Sequence, residues 1–134
     1  MELRAQDGQS TFTAERAAQS LDYWRKQVQQ ILSDPAADAA LKSYSHNANS
    51  AANLLAAHNF TSEAEQAYRF SRQLWPDNPE PVAGLAAILE RAGRADEVRQ
   101  MLEEFYRNHP KQRSAVESIN FSVSLPASAA QRSN

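Results

Sequence analysis

Residues 78–110 read NPEPVAGLAAILERAGRADEVRQMLEEFYRNHP. Asn78 followed by Pro79 has the form of a helix start, an N-cap with proline in the first turn. Val82, Leu85, Ala86 and Leu89 then keep to one helical face. Gly93 can take the left-handed conformation that ends a helix, and Asp96 caps or opens the next one. That second helix carries Val98 and Leu102 and runs to about Asn108, with Glu103 and Arg107 placed four apart as an ion pair. Pro110 cannot donate within a helix and stops it. The stretch predicts two helices joined by a tight turn.

Moving towards the N-terminus, Ser62-Glu63-Ala64-Glu65 has the spacing of a capping box, and a helix from there reaches Leu74 with Glu65 and Arg69 paired. Asp34-Pro35 starts a longer helix of about 22 residues ending near His58, with the stripe Ala37, Leu41, Tyr44, Ala48, Ala51 and Leu55. Before it, Ala17, Leu21, Trp24, Val28 and Ile31 recur by fours and threes over residues 13–33. These first two helices are expected to form a tight antiparallel pair. In the other direction, Lys111 to Ile119 can form a short sixth helix. Residues 1–12 read as a flexible N-terminus and 120–134, with Phe121, Val123 and Leu125, as an irregular tail. Trp75, at a helix end, is expected to be partly exposed against the following helix.

One internal period recurs. Pro76 and Pro110 are 34 residues apart, as are Ala52 and Ala86, Leu55 and Leu89, Glu63 and Glu97, and Gln66 and Gln100. Thirty-four is the period of the tetratricopeptide repeat, and these matches fall at its packing positions. Over about residues 46–110 the chain resembles that family. Val82, Leu85, Ala86 and Leu89 stand at the first-helix positions of one unit, and Val98 and Leu102 at the second-helix positions. Ala48, Ala51, Ala52 and Leu55, then Ala64 and Tyr68, do the same in the unit before. Asn59 stands in the turn where Gly93 stands in the next unit. Ser71 occupies a position that is usually alanine.

The resemblance implies an all-α fold: antiparallel hairpins stacked as a short right-handed superhelix, with repeats at about 45–78 and 79–112. The N-terminal helix pair then acts as a cap on a single domain over residues 13–119. It also implies a concave face lined by the first helix of each unit, with His46, Asn49, Asn53, Ala56 and Ala57, then Glu80, Ala83, Ala87, Glu90 and Arg91. Glu80 and Gly84 stand where a clamp for a terminal carboxylate would need basic or amide groups, so that mode is not expected. Asn side chains can instead bind the backbone of an extended peptide, since each both donates and accepts.

Composition agrees with helices and narrows the chemistry. The chain has 134 residues, with 24 alanines against 11 Val, Ile and Thr together, which disfavours an all-β fold. Fourteen Lys and Arg against 16 Asp and Glu leave no basic surplus for a nucleic-acid backbone. There is no cysteine, so disulfides and thiolate metal sites do not arise. No apolar run reaches a membrane span, and no signal core opens the chain, so the compartment cannot be read. His46, His58 and His109 share no metal-ligand spacing and are expected to face solvent, so no metal and no cofactor is expected. With no phosphate loop or nucleophile elbow, the expected role is not enzymatic. It is a module that binds a protein or peptide partner. The alternative is a homodimer built on Leu21, Trp24 and Val28, whose bulk the alanine stripe opposite them covers poorly.

Overall fold

The computed structural model describes residues 13–33 and 38–119, and every regular element among them is helical. Helix α1 is Ala14–Ser33, α2 Asp38–Ala57, α3 Thr61–Leu74, α4 Pro79–Arg91 and α5 Ala95–Asn108. A 3-10 turn, Pro110–Gln112, leads into helical residues 113–119. Residues 1–12, the Asp34-Pro35 cap with Ala37, and the tail 120–134 lie outside the described residues. No described helix is long and apolar enough to cross a membrane.

The helix starts differ in how their orphan amides are met. Asn78, in extended backbone, accepts the Glu80 N–H on its Oδ1 at 3.0 Å, as its sequence context suggests. Thr13 does the same for Arg16 at 3.2 Å. The capping box at Ser62 does not form: α3 starts two residues earlier than that cap implies, at Thr61 after Phe60, with no side-chain cap. The Glu65 carboxylate is drawn instead to Arg69 and Arg94. Asp96 opens α5 rather than capping it and pairs with Arg99 at 2.7 Å. Glu103 and Arg107 are both exposed, and among the described residues no ion pair joins them.

Helices α2 and α4 end identically. Asn59 (φ 68°) and Gly93 (φ 78°) take the left-handed conformation. The next residue donates back to a leucine carbonyl in each case, Phe60 to Leu55 and Arg94 to Leu89, both at 2.9 Å. Asn59 and Gly93 themselves donate to Ala56 and Glu90, each at 3.0 Å. This two-bond closure satisfies carbonyls that a helix end leaves open, and it reverses the chain within three residues.

Alanine sets the spacing between helices. Ala52, Ala64 and Ala67 are wholly buried, which lets α2 and α3 make the most extensive helix contact in the chain. Leu55, Tyr68, Leu85 and Ile88 fill the space between the hairpins, joined by Ala17 and Leu21 of α1. The expected tight pairing of α1 with α2 does not occur: α1 lies mainly on α3. The alanines of α2 offer little area, whereas α3 supplies Phe70 and Leu74 beside Trp24 and Val28. Beyond α5, Val116 closes over Val82 and Phe105. Trp75 is half-buried, with its ring against α2. Its ring meets His46 edge-on at 5.5 Å and lies under the Lys42 ammonium at 5.1 Å.

Within this apolar packing three wholly buried polar side chains form a closed network. Ser45 of α2 donates to the Ser71 carbonyl at 2.8 Å, and Ser71 of α3 donates to the Ser45 carbonyl at 2.7 Å. Asn78 donates its amide to Ser45 Oγ at 2.9 Å while capping α4 with its oxygen. Outside the core, Arg94 grips Glu65 through two nitrogens at 2.9 and 3.2 Å and also holds Glu97 at 2.6 Å. Thus the start of α5 is fastened to α3. Hydrogen bonding from Arg94, opposed by burial and aided by Arg69, holds the Glu65 carboxyl below its ordinary value.

Two expectations follow. Asn78→Ala removes a cap and the amide that donates to the Ser45 hydroxyl, and should cost about 1–3 kcal/mol in urea unfolding. Ser45→Ala combined with it should cost less than the two single losses summed, because both act on one network. For Glu65, whose folded-state pKa is depressed, the stabilisation is fully present above its ordinary value of 4.5 and is lost as pH falls through the lowered one. The urea-midpoint difference between wild type and Glu65→Gln should be flat at neutral pH and vanish in acid.

Candidate functional site

Between α2 and α4 runs a groove of about 380 Å³. Asn49, Asn53, Ala56 and Ala57 line it from α2, and Glu80, Ala83, Ala87 and Arg91 from α4. Eight of the ten residues named from sequence therefore surround one cavity. His46 stands just beyond it, with Nδ1 at 2.7 Å from Glu80 Oε1, so the pair bridges the two helices at one end. Glu90 does not take part. It is exposed and lines a separate depression with Val98 and Tyr106, on the side of α4 that faces α5.

Three lining residues were not anticipated: Tyr68 reaches the groove from α3, Ile88 lines it from α4, and Ile119 flanks it from the helical residues after α5. Gly84, which the sequence put on this face, lies in the α4 wall. Tyr68 and Gly84 belong together: a Cβ on Gly84 would stand 2.4 Å from Tyr68 Cε1 and 2.5 Å from Cζ. A glycine inside a helix normally costs about 1 kcal/mol relative to alanine. That penalty in the sequence is the signal that could have revealed the ring crossing α4 there.

The Tyr68 hydroxyl donates to Asn53 Oδ1. Burial, partly offset by the Arg91 charge, raises the Tyr68 pKa, so the phenol stays protonated and keeps donating. With its oxygen engaged, Asn53 turns its amide N–H groups outward. One turn earlier, Asn49 is 8% exposed, and its Oδ1 is buried without a hydrogen-bond partner. The groove thus carries an inward-turned, unmet acceptor on Asn49 and an outward donor on Asn53, at i and i+4 of one helix face, over a floor of alanine and glycine. An unmet buried carbonyl oxygen costs roughly 1–3 kcal/mol, which a ligand N–H recovers only when the Asn49 side chain turns its oxygen into the groove.

The other sequence candidates lie elsewhere. Leu21, Trp24 and Val28 are 6%, 8% and 4% exposed and are covered by this chain's own α2 and α3, so they present no surface to a second copy. His109 is only partly solvent-facing: its ring lies on Phe105 at 4.8 Å and its Nδ1 is 2.8 Å from Asp77.

Gly84→Ala should destabilise the chain by about 1–3 kcal/mol in urea unfolding, against the helical gain that alanine normally brings, because the Tyr68 ring must move. An unchanged or raised midpoint would show that the ring gives way freely.

Comparison with protein-family models, with curated proteins and with solved structures finds no match to this chain.

Proposed function

We propose that the chain is a tetratricopeptide-like module that binds an extended peptide segment of a protein partner in the α2–α4 groove, without catalysis. The observation that carries this reading is Asn49, a groove-lining residue one turn from the donor amide of Asn53, whose unmet buried oxygen reaches a peptide N–H once its side chain turns into the groove. Those two groups complement the N–H and C=O of a peptide backbone, and the small side chains of Ala83, Gly84 and Ala87 let a chain approach closely.

The repeat reading has support in the turns and the packing. The left-handed residues Asn59 and Gly93 are 34 residues apart with the same two closing bonds, and Leu55 and Leu89 accept at the same step. Val82 and Val116, both buried, extend that step beyond α5, as do Leu85 and Ile119. In this reading α2–α3 and α4–α5 are successive units of a right-handed superhelix, α1 is the cap, and residues 113–119 begin a further first helix.

A random peptide library displayed on phage and selected against the full chain tests the reading. Enriched peptides should bind Asn49→Leu about tenfold more weakly, since the substitution removes the acceptor and narrows the groove. Enrichment of nothing, or peptides that bind both proteins alike, would reject the groove as the binding surface.

A further inference from the structure

Helices α3 and α5 barely touch, and a cleft of about 400 Å³ lies between them, sharing no lining residue with the α2–α4 groove. Arg69, Arg72 and Gln73 enter it from α3, and Glu104, Asn108 and His109 from the α5 side. Their donors are unequally committed. Arg69 gives one nitrogen to Glu65 at 2.8 Å. His109 is fixed by Asp77 and by its contact with Phe105. Arg72 is half-buried and makes no hydrogen bond or ion pair among the described residues.

That is an unusual state for a guanidinium. Its five N–H donors have lost part of their water without gaining a protein acceptor. A second guanidinium stands three residues away on the same helix face. Burial first, and then the Arg69 charge, lower the Arg72 pKa, with Glu104 acting in the opposite direction. Glu104 is exposed and stays outside bonding distance, so it softens the positive field of the cleft without filling it. A multi-oxygen anion would meet the forks of both arginines and the Asn108 amide together. The volume falls in the range of small-molecule sites, and Pro76 with the His109 ring supplies an apolar margin.

We propose that the α3–α5 cleft binds a phosphate monoester of a small organic molecule, with the phosphate on Arg72 and Arg69 and the organic group over Pro76 and His109. The site is independent of the peptide groove.

The test titrates inorganic phosphate and phenyl phosphate, at constant ionic strength, into the isotope-labelled full chain while the arginine Nε–Hε resonances are followed. The Arg72 resonance should move and saturate, with phenyl phosphate the tighter of the two. Glu104→Gln should tighten binding roughly threefold by removing a repelling charge. Arg72→Gln should weaken it about tenfold. Should Arg72→Gln fail to fold, the wild-type Arg72 resonance and the Glu104→Gln titration decide the matter. Shifts that never saturate, or an unchanged affinity in Glu104→Gln, would overturn the proposal. Equal affinity for phosphate and phenyl phosphate would overturn its organic part.

Discussion

The polar lock among Ser45, Ser71 and Asn78 is the constraint on which the arrangement of α2, α3 and α4 depends. Apolar packing is tolerant of small slides, because one alanine face fits another almost equally well after a shift. Hydrogen bonds between fully buried groups do not allow that, since a displaced partner leaves a donor or acceptor unmet in a medium without water. Reciprocal bonds between each serine hydroxyl and the other's carbonyl fix α2 against α3. Asn78 then binds the same Ser45 oxygen and caps α4, so the first turn of α4 is tied to the middle of α2. The width of the groove between α2 and α4 follows from that tie. The adjacent His46–Glu80 contact lies at the surface and follows from it as well.

Small residues and one large one divide the remaining work. Ala48, Ala52, Ala64 and Ala67 are buried completely and contribute little area each, so they bring helices close rather than hold them together. Leu55, Leu74, Leu85, Leu89 and Phe105 supply the area. Tyr68 joins the two roles: its ring fills the gap left by Gly84, and its hydroxyl orients Asn53 at the surface. The chemistry of the groove is therefore set by a residue of the core, and a change in the packing of α3 would alter what α2 presents.

Much of this was legible in the sequence. The Asn78-Pro79 start, the Gly93 and Asn59 turns and the Pro110 stop are local signals, each tied to a backbone preference, and each appears where the residues place it. The faces of α2 and α4 that meet the groove could be read because helical periodicity fixes direction. What could not be read were choices among partners. Ser45 and Ser71 look like solvated helix residues until both are found on facing sides of one interface. Glu65 had a plausible local role at the start of α3, and Arg94, 29 positions away, outcompeted it. The pairing of α1 failed as an expectation because neighbours in sequence were assumed to be neighbours in space, whereas bulky side chains go where the area is. Asn49 could be placed on the groove, but the absence of a partner for its oxygen is visible only in three dimensions.

The position of α1 also bears on how the chain acquires its shape. The α2–α3 and α4–α5 units close through three-residue turns and gain their contacts from near neighbours, the condition under which small helical proteins collapse in microseconds to milliseconds. Helix α1 is the exception, since it must pass over the whole of α2 before it reaches α3. Its docking closes a longer loop and therefore carries a larger entropic barrier. The hairpins can then assemble first and receive α1 late, so that Trp24 reports the end of folding rather than its beginning.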